Sequence, residues 1–438
     1  LEALEVEAGV LPLDLRREEL AVRELGKICA KQDTQPIKQA LKDWEEEQEG
    51  SFERYTSPFG KMKIQMADMC AYASITCSSI EPEPDYVDSL QPTVKRPEYW
   101  NNLGSSKNRT KQQEEESRRI IEEEIDKSEV GTTLIFTDGS CKQNPGPCGA
   151  GACVYLPGQE ESVELKKPVS RLASILLGEL VAISIALSFI QGEMRKRQLA
   201  GVKLFSDSQS AVGLLTLGWT PSSYQGTISQ IKKQMDDIKQ KGLYLDIQWT
   251  PGHADIAGNE TADRLAKEAA QEAENMEEGD DRPVTATDIR TAVKESCMKK
   301  WQRRWDLTNY GRGLYTYRNI VGLKRNKTVI QKYPRIFSKL RTGYCLKEYL
   351  NKIGVADTPY CTCGDVESCD HFVLDCSEIG DLREEMKLKL LQQTGLNIWS
   401  MELFLAMNPE DEYSQERTII NDIFEEFLER SGRFTKSV

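Results

Sequence analysis

Four carboxylates in the middle of the chain occupy positions where a negative charge needs a partner. Asp138 ends the strand-like run TTLIFTD, and Asp207 ends VKLFSD. Glu179 lies inside the apolar stretch LGELVAI, where an ionised side chain is costly unless it is paired or metal-bound. Asp263 lies near the start of a later helix. Carboxylates that cannot neutralise one another require cations, and oxygen-rich sites suit Mg²⁺, with Mn²⁺ as the alternative. Two such ions ~4 Å apart clamp the attacking and leaving oxygens of a phosphodiester.

The elements that must position these side chains follow from hydrophobic periodicity. Strands are predicted at TTLIFTDGS, GAGACVYLP, ESVELKKPV, VKLFSDSQ and LYLDIQWTPGH. The stretch ASILLGELVAISIALSFIQGEM is apolar nearly all round and predicts a largely buried helix. Three strands followed by alternating helices and strands indicate a mixed α/β layer fold of roughly 140 residues. Ligand sites in such sheets lie at the C-terminal ends of strands, where Asp138 and Asp207 are predicted.

Each of these residues also has an ordinary structural explanation. An Asp before Gly-Ser is most often a turn residue, and an acid in the first turns of a helix is solvated or favoured by the helix dipole. His253 in TPGH is equally an ordinary loop histidine. The occurrence of all these acids in one compact α/β segment favours a common site over separate structural roles.

Together these motifs resemble the ribonuclease H family. The resemblance is carried by TDGSCKQNPGPCGAG, LGELVAI, SDSQSAV and WTPGHADIAGNETADRLAKEAA, in family order and spacing across residues 131–272. It implies a five-stranded mixed sheet flanked by helices, and endonucleolytic hydrolysis of the RNA strand of RNA–DNA hybrids that leaves 3′-hydroxyl and 5′-phosphate ends. It also implies that Asp138 bridges two Mg²⁺ ions, with Asp263 on the nucleophile side and Glu179 and Asp207 on the leaving-group side. His253 would be the mobile histidine that assists proton transfer or product release.

The same resemblance suggests how substrate is held. Asn144 and Gln209 match positions that contact the minor groove of the hybrid, where the 2′-hydroxyl distinguishes RNA. Glycines in the turn, at positions 146, 149 and 151, are expected to allow close approach of the RNA backbone. The chain departs from many cellular members just before Glu179, where Ile175 and Leu176 replace asparagines. It also shows no basic, Trp-rich insertion after Asp207, so a weak grip on the hybrid is expected.

Charge is unevenly distributed along the chain. The formal net charge is −13, yet residues 288–352 carry 17 Lys and Arg against four acids, a local net charge of +13. Because screening confines each patch to about 8–10 Å, a basic face can act on an acidic protein. Aromatics interleave with these cations, which is typical of phosphate contact with base stacking. The alternative is that Trp301, Trp305 and Leu340 form the core of a small helical domain with a solvated basic face.

The cysteine content and the hydropathy of the chain indicate the cellular compartment in which we expect it. No export signal precedes the 12 cysteines, so we expect reduced thiols and a cytoplasmic or nuclear protein that is not secreted. Charged residues make up 29%, and no apolar run approaches ~18 residues, so no membrane span is expected.

A second cluster of metal-ligand residues lies at CTCGDVESCDHFVLDC. Three cysteines and one histidine within sixteen residues fit a tetrahedral structural Zn²⁺ site, although the Cys-x-Cys spacing is tighter than usual. A small reduced-thiol subdomain without metal is the alternative, with Cys369 as a spare thiol. The predicted ligands are Cys361, Cys363, His371 and Cys376.

The flanks resemble the C-terminal region of non-LTR (LINE-like) retrotransposon polyproteins. The resemblance lies in LEVEAGVLPLDLRREELAVRELGKI, similar to the helical stretch after their reverse transcriptase, and in LRTGYCLKEYLNKIGVADTPYCTCG. It implies a fragment of a polyprotein whose reverse transcriptase region lies outside these residues, and the chain starts with Leu and carries no YxDD motif. The predicted layout is a helical segment at 1–60, a partly disordered linker at 61–130, the ribonuclease H domain at 131–272, an acidic linker at 273–287, a basic helical region with the Cys/His cluster at 288–376 and an acidic helical tail at 377–438.

Two other functions fit the same residues. A protein that kept the fold but lost the reaction would bind nucleic acid through its basic, Cys/His-rich half. An integrase-like transposase shares the fold, but Glu179 lying between two Asp residues and the run TPGH…NETAD favour the ribonuclease branch.

Overall fold

The computed structural model describes residues 1–47, 60–62, 80–82, 109–252, 256–277, 280–323, 332–407 and 412–434. Two compact units make up the chain. One consists of Glu18–Ser296, and the other combines Leu1–Arg17 with Cys297–Val438. At the N-terminus, α1 covers Glu2–Ala8, α2 covers Leu13–Cys29 and α3 covers Pro36–Glu47.

A five-stranded mixed sheet forms the centre of the first unit, as the sequence predicts. Its strands are β1 (Thr132–Cys141), β2 (Gly146–Tyr155), β3 (Val163–Ala173), β4 (Gly201–Ser206) and β5 (Tyr244–Trp249). The strand order is β3-β2-β1-β4-β5. The β1–β2 and β2–β3 pairs are antiparallel, whereas β1–β4 and β4–β5 are parallel. Thr137 pairs with Ser206, which pairs with Trp249, so the three parallel strands end at the same edge.

Helices cover both faces of this sheet. They are α4 (Lys111–Asp126), α5 (Ile175–Glu193), α6 (Gln209–Thr216), α7 (Gln225–Gln240) and α8 (Ala257–Ala273). Ile121 of α4 packs in one core cluster with Phe136, Phe205 and Ala262 of β1, β4 and α8. The predicted mixed α/β layer fold is therefore confirmed.

Helix α5 corrects one expectation from composition. We expected no apolar run long enough to span a membrane, but this 19-residue helix is long and apolar enough, with a mean hydropathy of 1.9. Its five polar residues, two of them glutamates, lower the mean hydropathy little and do not interrupt the helix. Buried residues make up 61% of the same window, as in the core helix of a sheet layer. A single helix of this kind is weak evidence for a membrane span.

Helix α4 corrects the prediction of a linker across residues 61–130. A capping box begins the helix, because Thr110 Oγ1 accepts from Gln113 N at 3.3 Å while Thr110 N donates to Gln113 Oε1 at 3.0 Å. Ile121 and Ile125, four residues apart, face the sheet in the same core cluster. The run of charges around them conceals this short apolar stripe. Most of the rest of the predicted linker lies outside the described residues.

The second unit is helical around two hydrophobic clusters. Its elements are α9 (Ala286–Leu307, shared with the first unit), α10 (Arg312–Tyr317), α11 (Pro334–Thr342), α12 (Leu346–Lys352), α13 (Gly380–Thr394), α14 (Met401–Leu405) and α15 (Arg417–Arg430). Trp301, Trp305 and Leu340 are buried, so the core alternative for these residues is confirmed and base stacking by them is excluded. Glu7 forms a buried ion pair with Arg341 at 2.6 Å, which fastens α1 to α11.

Candidate active site

Neighbouring parallel strands bring the first two carboxylates together. Asp207 follows Ser206 at the end of β4, as predicted, whereas Asp138 lies inside β1, which continues to Cys141 beside β2, and comes immediately after Thr137, the last residue paired with β4. Because Thr137 and Ser206 are paired in register, the two aspartates emerge side by side at the edge of the sheet. The Gly139 N–H donates to Asp138 Oδ1 at 2.9 Å and fixes that carboxylate.

The third carboxylate arrives from the buried face of α5. Glu179 lies one turn into that helix, and a Cβ added to Gly139 would lie 2.3 Å from its backbone nitrogen. Only glycine at position 139 therefore allows the helix to approach β1 this closely. The carboxylates of Asp138, Glu179 and Asp207 each offer an oxygen within 4.8 Å of the others.

Burial disfavours the charged forms of the carboxyl groups in this cluster. Desolvation, together with the negative charges of Asp207 and Asp263, raises the pKa of Asp138 to about 9. Desolvation is also the largest cause of the raised pKa of Glu179, followed by the charges of Asp207 and Asp138. Glu179 Oε2 is buried and finds no hydrogen-bond donor among the described residues. An orphaned carboxylate oxygen beside two more carboxylates fits a divalent cation, which would satisfy all three at once.

Asp263 borders this group. It lies in the second turn of α8, where its interaction with Asp138 contributes to the raised pKa of that residue. Lys267, four residues later, donates to Asp263 Oδ2 at 2.6 Å. Lys267 was not among the predicted site residues, although its i,i+4 spacing from Asp263 is a recognisable ion-pair signal.

Comparison with known proteins decides the family. The RNase H family model matches residues 131–271. The ribonuclease H of Nitrosomonas eutropha is 32% identical over 155 residues, which cover 33% of this chain and 93% of that protein. The chain belongs to the ribonuclease H family. The ribonuclease H of Paracidovorax citrulli is 33% identical, with 33% of this chain and 97% of that protein covered. A crystal structure titled LC11-RNase H1 in complex with RNA/DNA hybrid matches at 22% identity, covering 32% of this chain and 98% of that one, with a TM-score of 0.27, too low to support an argument.

Within this ribonuclease H domain, the two predicted substrate-binding residues, Asn144 and Gln209, differ in exposure and in structural setting. Asn144 is exposed, and its Oδ1 accepts from Ile175 N at 3.0 Å, so it caps the first turn of α5. Gln209 is half-buried as the first residue of α6, two residues after Asp207. Their role as hybrid contacts stays a prediction. His253 lies outside the described residues.

Two glycines that were predicted to lie in the turn, Gly149 and Gly151, lie in β2 and have an unpredicted structural role. A Cβ at Gly149 would lie 2.2 Å from Ala270 N, and one at Gly151 would lie 2.3 Å from Ala262 O. These glycines therefore let β2 contact the backbone of α8. Our expectation that they face RNA was wrong for these two positions.

The Cys/His residues converge in the second unit. Cys361, Cys363, His371 and Cys376 each offer a ligand atom within 4.8 Å of the others. Cys361 Sγ lies 3.7 Å from Cys376 Sγ, and Cys363 Sγ lies 3.2 Å from His371 Nε2. The spare thiol, Cys369, instead contacts Cys345 Sγ at 3.6 Å.

Local backbone structure explains how residues at the Cys-x-Cys spacing and at the five-residue spacing of His371 and Cys376 bring their ligand atoms together. Cys361 N donates to Asp365 O at 2.7 Å, so the Cys-x-Cys pair lies in a tight turn. A π-helical turn spans His371–Asp375, and Cys376 N donates to His371 O at 2.7 Å. Residues five apart face the same side of a π turn, whereas an α-helix would separate them by about 140°. Arg383 holds the turn by donating to the Val373 and Cys376 carbonyls at 2.9 and 2.7 Å.

Proposed function

We propose that this ribonuclease H family enzyme hydrolyses the RNA strand of RNA–DNA hybrids endonucleolytically, with two divalent cations, as part of a retroelement polyprotein. The observation that carries the catalytic part is the convergence of Asp138, Glu179 and Asp207 within 4.8 Å, from three different elements of the ribonuclease H domain. The relatives that match this domain are named ribonuclease H, which supports the same activity for this chain.

The roles of the chain's own residues follow from charge and position. Asp138, central between the strand end of Asp207 and helix α8, would hold both cations, with Glu179, Asp207 and Asp263 completing the two sites. Divalent cations there would supply positive charge to the oxygens on either side of the scissile phosphate. Asn144 and Gln209 flank the carboxylates in the chain and would contact the hybrid. His253 would assist proton transfer or product release.

A cleavage assay tests this proposal. Labelled RNA is presented as RNA–DNA hybrid or as duplex RNA, beside labelled duplex DNA, with Mg²⁺, Mn²⁺ or chelator. We expect cleavage of the hybrid alone, only with a divalent cation, leaving 3′-hydroxyl ends. Asp138→Asn and Asp207→Asn should lower kcat by about a thousandfold or more, because they remove cation ligands that act in the transition state.

The control is Asp236→Asn, which makes the same chemical change at an exposed position on α7. Equal cleavage by wild type and Asp138→Asn would contradict the proposal. Hybrid binding in a gel shift without turnover in either metal would instead support the alternative, a catalytically inactive nucleic-acid-binding relic. The apolar Ile175, 42% exposed beside Asn144, is the feature that bears most on that alternative.

The retroelement context rests on resemblance in the flanks of the ribonuclease H domain. The helical N-terminal segment and the basic Cys/His-containing region support it, and the basic region would give the polyprotein a second nucleic-acid contact. The test is the reading frame of the complete transcript. We expect a reverse transcriptase coding region upstream in the same frame, and a complete transcript without one would contradict this part.

We also propose that Cys361, Cys363, His371 and Cys376 bind one structural Zn²⁺. Ligand separations in a tetrahedral site are about 3.8 Å for S–S and about 3.5 Å for S–N, given Zn–S and Zn–N bonds of about 2.3 and 2.0 Å. The observed 3.7 and 3.2 Å are close to these separations. Although burial alone would raise it, the pKa of Cys361 is lowered to about 6 by hydrogen bonds from Cys363 N–H and His371, which favours the thiolate that zinc requires.

Metal analysis of the purified chain tests the zinc site. We expect one Zn²⁺ per chain, lost in Cys361→Ser and in Cys376→Ser. Cys369→Ser is the matched control because Cys369 pairs with Cys345 outside the four ligands, and it should keep its zinc. Retention of zinc by Cys361→Ser, or its absence from wild type grown with zinc, would contradict the proposal.

A further inference from the structure

Arg109 reaches the active-site edge of the sheet from outside the ribonuclease H match. It lies before residues 131–271 and immediately precedes the capping residue of α4. Arg109 Nη1 donates to the backbone carbonyl of Gly252 at 2.6 Å. Gly252 belongs to the turn that leaves β5 and leads directly to His253.

That turn is built against Asp207. A Cβ added to Gly252 would lie only 2.4 Å from Asp207 Oδ2. The indole Nε1 of Trp249 donates to the Asp207 carbonyl at 2.9 Å, and Thr250 N donates to the Ser206 carbonyl at 2.9 Å. A shift of residues 250–252 would therefore change the space available to a carboxylate of the cluster.

The docking of α4 fixes the position of Arg109. Lys203 of β4 donates to the backbone carbonyl of Glu124 at 2.7 Å and to its Oε2 at 3.1 Å. Ile121 is buried in the core cluster beneath the helix. With its body held on the sheet and its first turn closed by the capping box, α4 presents Arg109 at a defined place rather than on a mobile segment.

Arg109 also carries charge to the site. Burial is the main effect and lowers the pKa of its guanidinium, while the negative charges of Glu114 and Asp207 act in the opposite direction. The guanidinium and the Asp207 carboxylate therefore interact electrostatically. A positive charge held there offsets part of the attraction of the cluster for cations.

We propose that Arg109 is a positioning residue of the active site, which holds the 250–252 turn against Asp207 and moderates the cation affinity of the carboxylate cluster. Its catalytic consequence rests on the proposed function, whereas its effect on cation binding does not. Because no ribonuclease H motif covers position 109, this residue makes the segment before the family domain part of the active site.

Two variants of the full chain test this inference. Calorimetric titration with Mg²⁺, without nucleic acid, measures cation affinity, and hybrid cleavage measures kcat and KM. Arg109→Gln removes the charge and the fork of donors, so the Mg²⁺ dissociation constant should fall by about threefold or more, as expected for loss of a nearby like charge. The kcat should fall by about tenfold with little change in KM, because the displaced turn disturbs the reacting geometry. Arg109→Lys keeps the charge, so its Mg²⁺ affinity should stay within about twofold of wild type.

Arg119→Gln is the matched control, with the same chemical change on the same helix at an exposed residue paired with Glu116. It should leave both measurements unchanged. The inference is overturned if Arg109→Gln and Arg119→Gln give the same Mg²⁺ affinity and the same kcat. If wild type fails to cleave hybrid, the proposed function fails, and the calorimetric comparison still decides the role of Arg109.

Discussion

The two clusters of ligand side chains in this protein are assembled in opposite ways. Asp138, Glu179 and Asp207 come from β1, α5 and the end of β4, and only the complete sheet brings them within 4.8 Å. The Cys/His cluster instead occupies sixteen consecutive residues, and a tight turn and a single π turn bring its ligand atoms together.

Their electrostatics differ as well. The carboxylates are buried like charges, and burial with mutual repulsion raises the pKa of both Asp138 and Glu179. In the Cys/His cluster, hydrogen bonds outweigh burial and lower the pKa of Cys361 to about 6, and Cys361 and Cys363 are only half-buried. The carboxylate cluster is thus imposed by the whole sheet at an energetic cost, whereas short turns and the hydrogen bonds of Arg383 bring the Cys/His cluster together. We infer that the first keeps its geometry without metal and that the second is loosened when the Zn²⁺ proposed for it is removed.

Removal of all metal should give the largest difference between the two clusters. In chelator, amide hydrogen exchange across residues 360–376 should accelerate by about a hundredfold or more, since a structural zinc site contributes folding free energy directly. Strands β1 and β4 should keep their protection, because the sheet is held by its own core. Mass spectrometry of peptides from both regions makes the comparison within one sample. Equal acceleration in β1 and in residues 360–376 would show that the two clusters do not differ in this way.

The next effect tests whether the fold alone assembles the carboxylates. Gly139→Ala places a Cβ 2.3 Å from Glu179 N and 2.6 Å from Gly178 C, both of them backbone atoms that cannot swing aside. We expect a loss of about 3 kcal/mol or more of unfolding free energy, since α5 must move away from β1. Denaturant titration measures it. Gly192→Ala, on the same helix with nothing within 4 Å of the new Cβ, should be neutral or slightly stabilising.

Several of these features were predictable from sequence because they follow from hydrophobic periodicity or from the spacing of residues close together in the chain. Alternating and continuous apolar runs predicted the five strands and α5, and the end of an apolar run predicted the position of Asp207, whereas β1 continues three residues past Asp138 along β2. The Cys and His spacing predicted which four side chains converge in the second cluster, although the π turn that aligns His371 with Cys376 leaves no sequence signal.

Other features depend on contacts between distant residues and carry no local pattern. Helix α4 looked like a linker because only Ile121 and Ile125 form its apolar stripe, and its docking depends on Lys203 and Gln248 from the sheet. Arg109 donates a hydrogen bond to the backbone carbonyl of Gly252, 143 positions away, and the sequence around Arg109 contains no motif that indicates this contact. The glycines of β2 were predictable as close-approach positions, but the partner proved to be α8 rather than nucleic acid.

The cost of the buried charge predicts a pH dependence. Because the pKa of Asp138 is raised from 3.8 to about 9, its contribution to stability is complete below pH ~4 and is lost as pH rises through about 9. The metal-free ribonuclease H unit should therefore become less stable from pH 5 to 9, by about 1–3 kcal/mol. Asp138→Asn should reduce this slope and be more stable than wild type at pH 8, although we expect it to be inactive. Urea titrations in chelator across this range provide the measurement, and added Mg²⁺ should flatten the wild-type profile.

The smallest predicted effect distinguishes a structural role of Asn144 from a role in substrate binding. Its Oδ1 accepts from Ile175 N at 3.0 Å at the start of the helix that carries Glu179. Asn144→Ala should cost about 1 kcal/mol of stability, as the loss of a helix N-terminal acceptor does, whereas Asn144→Asp keeps the acceptor and should cost less. If the amide also contacts the hybrid, Asn144→Ala will raise KM by more than its small loss of stability can explain. An unchanged KM beside the lost stability would assign Asn144 to the scaffold that places Glu179, and would leave Gln209 to read the hybrid.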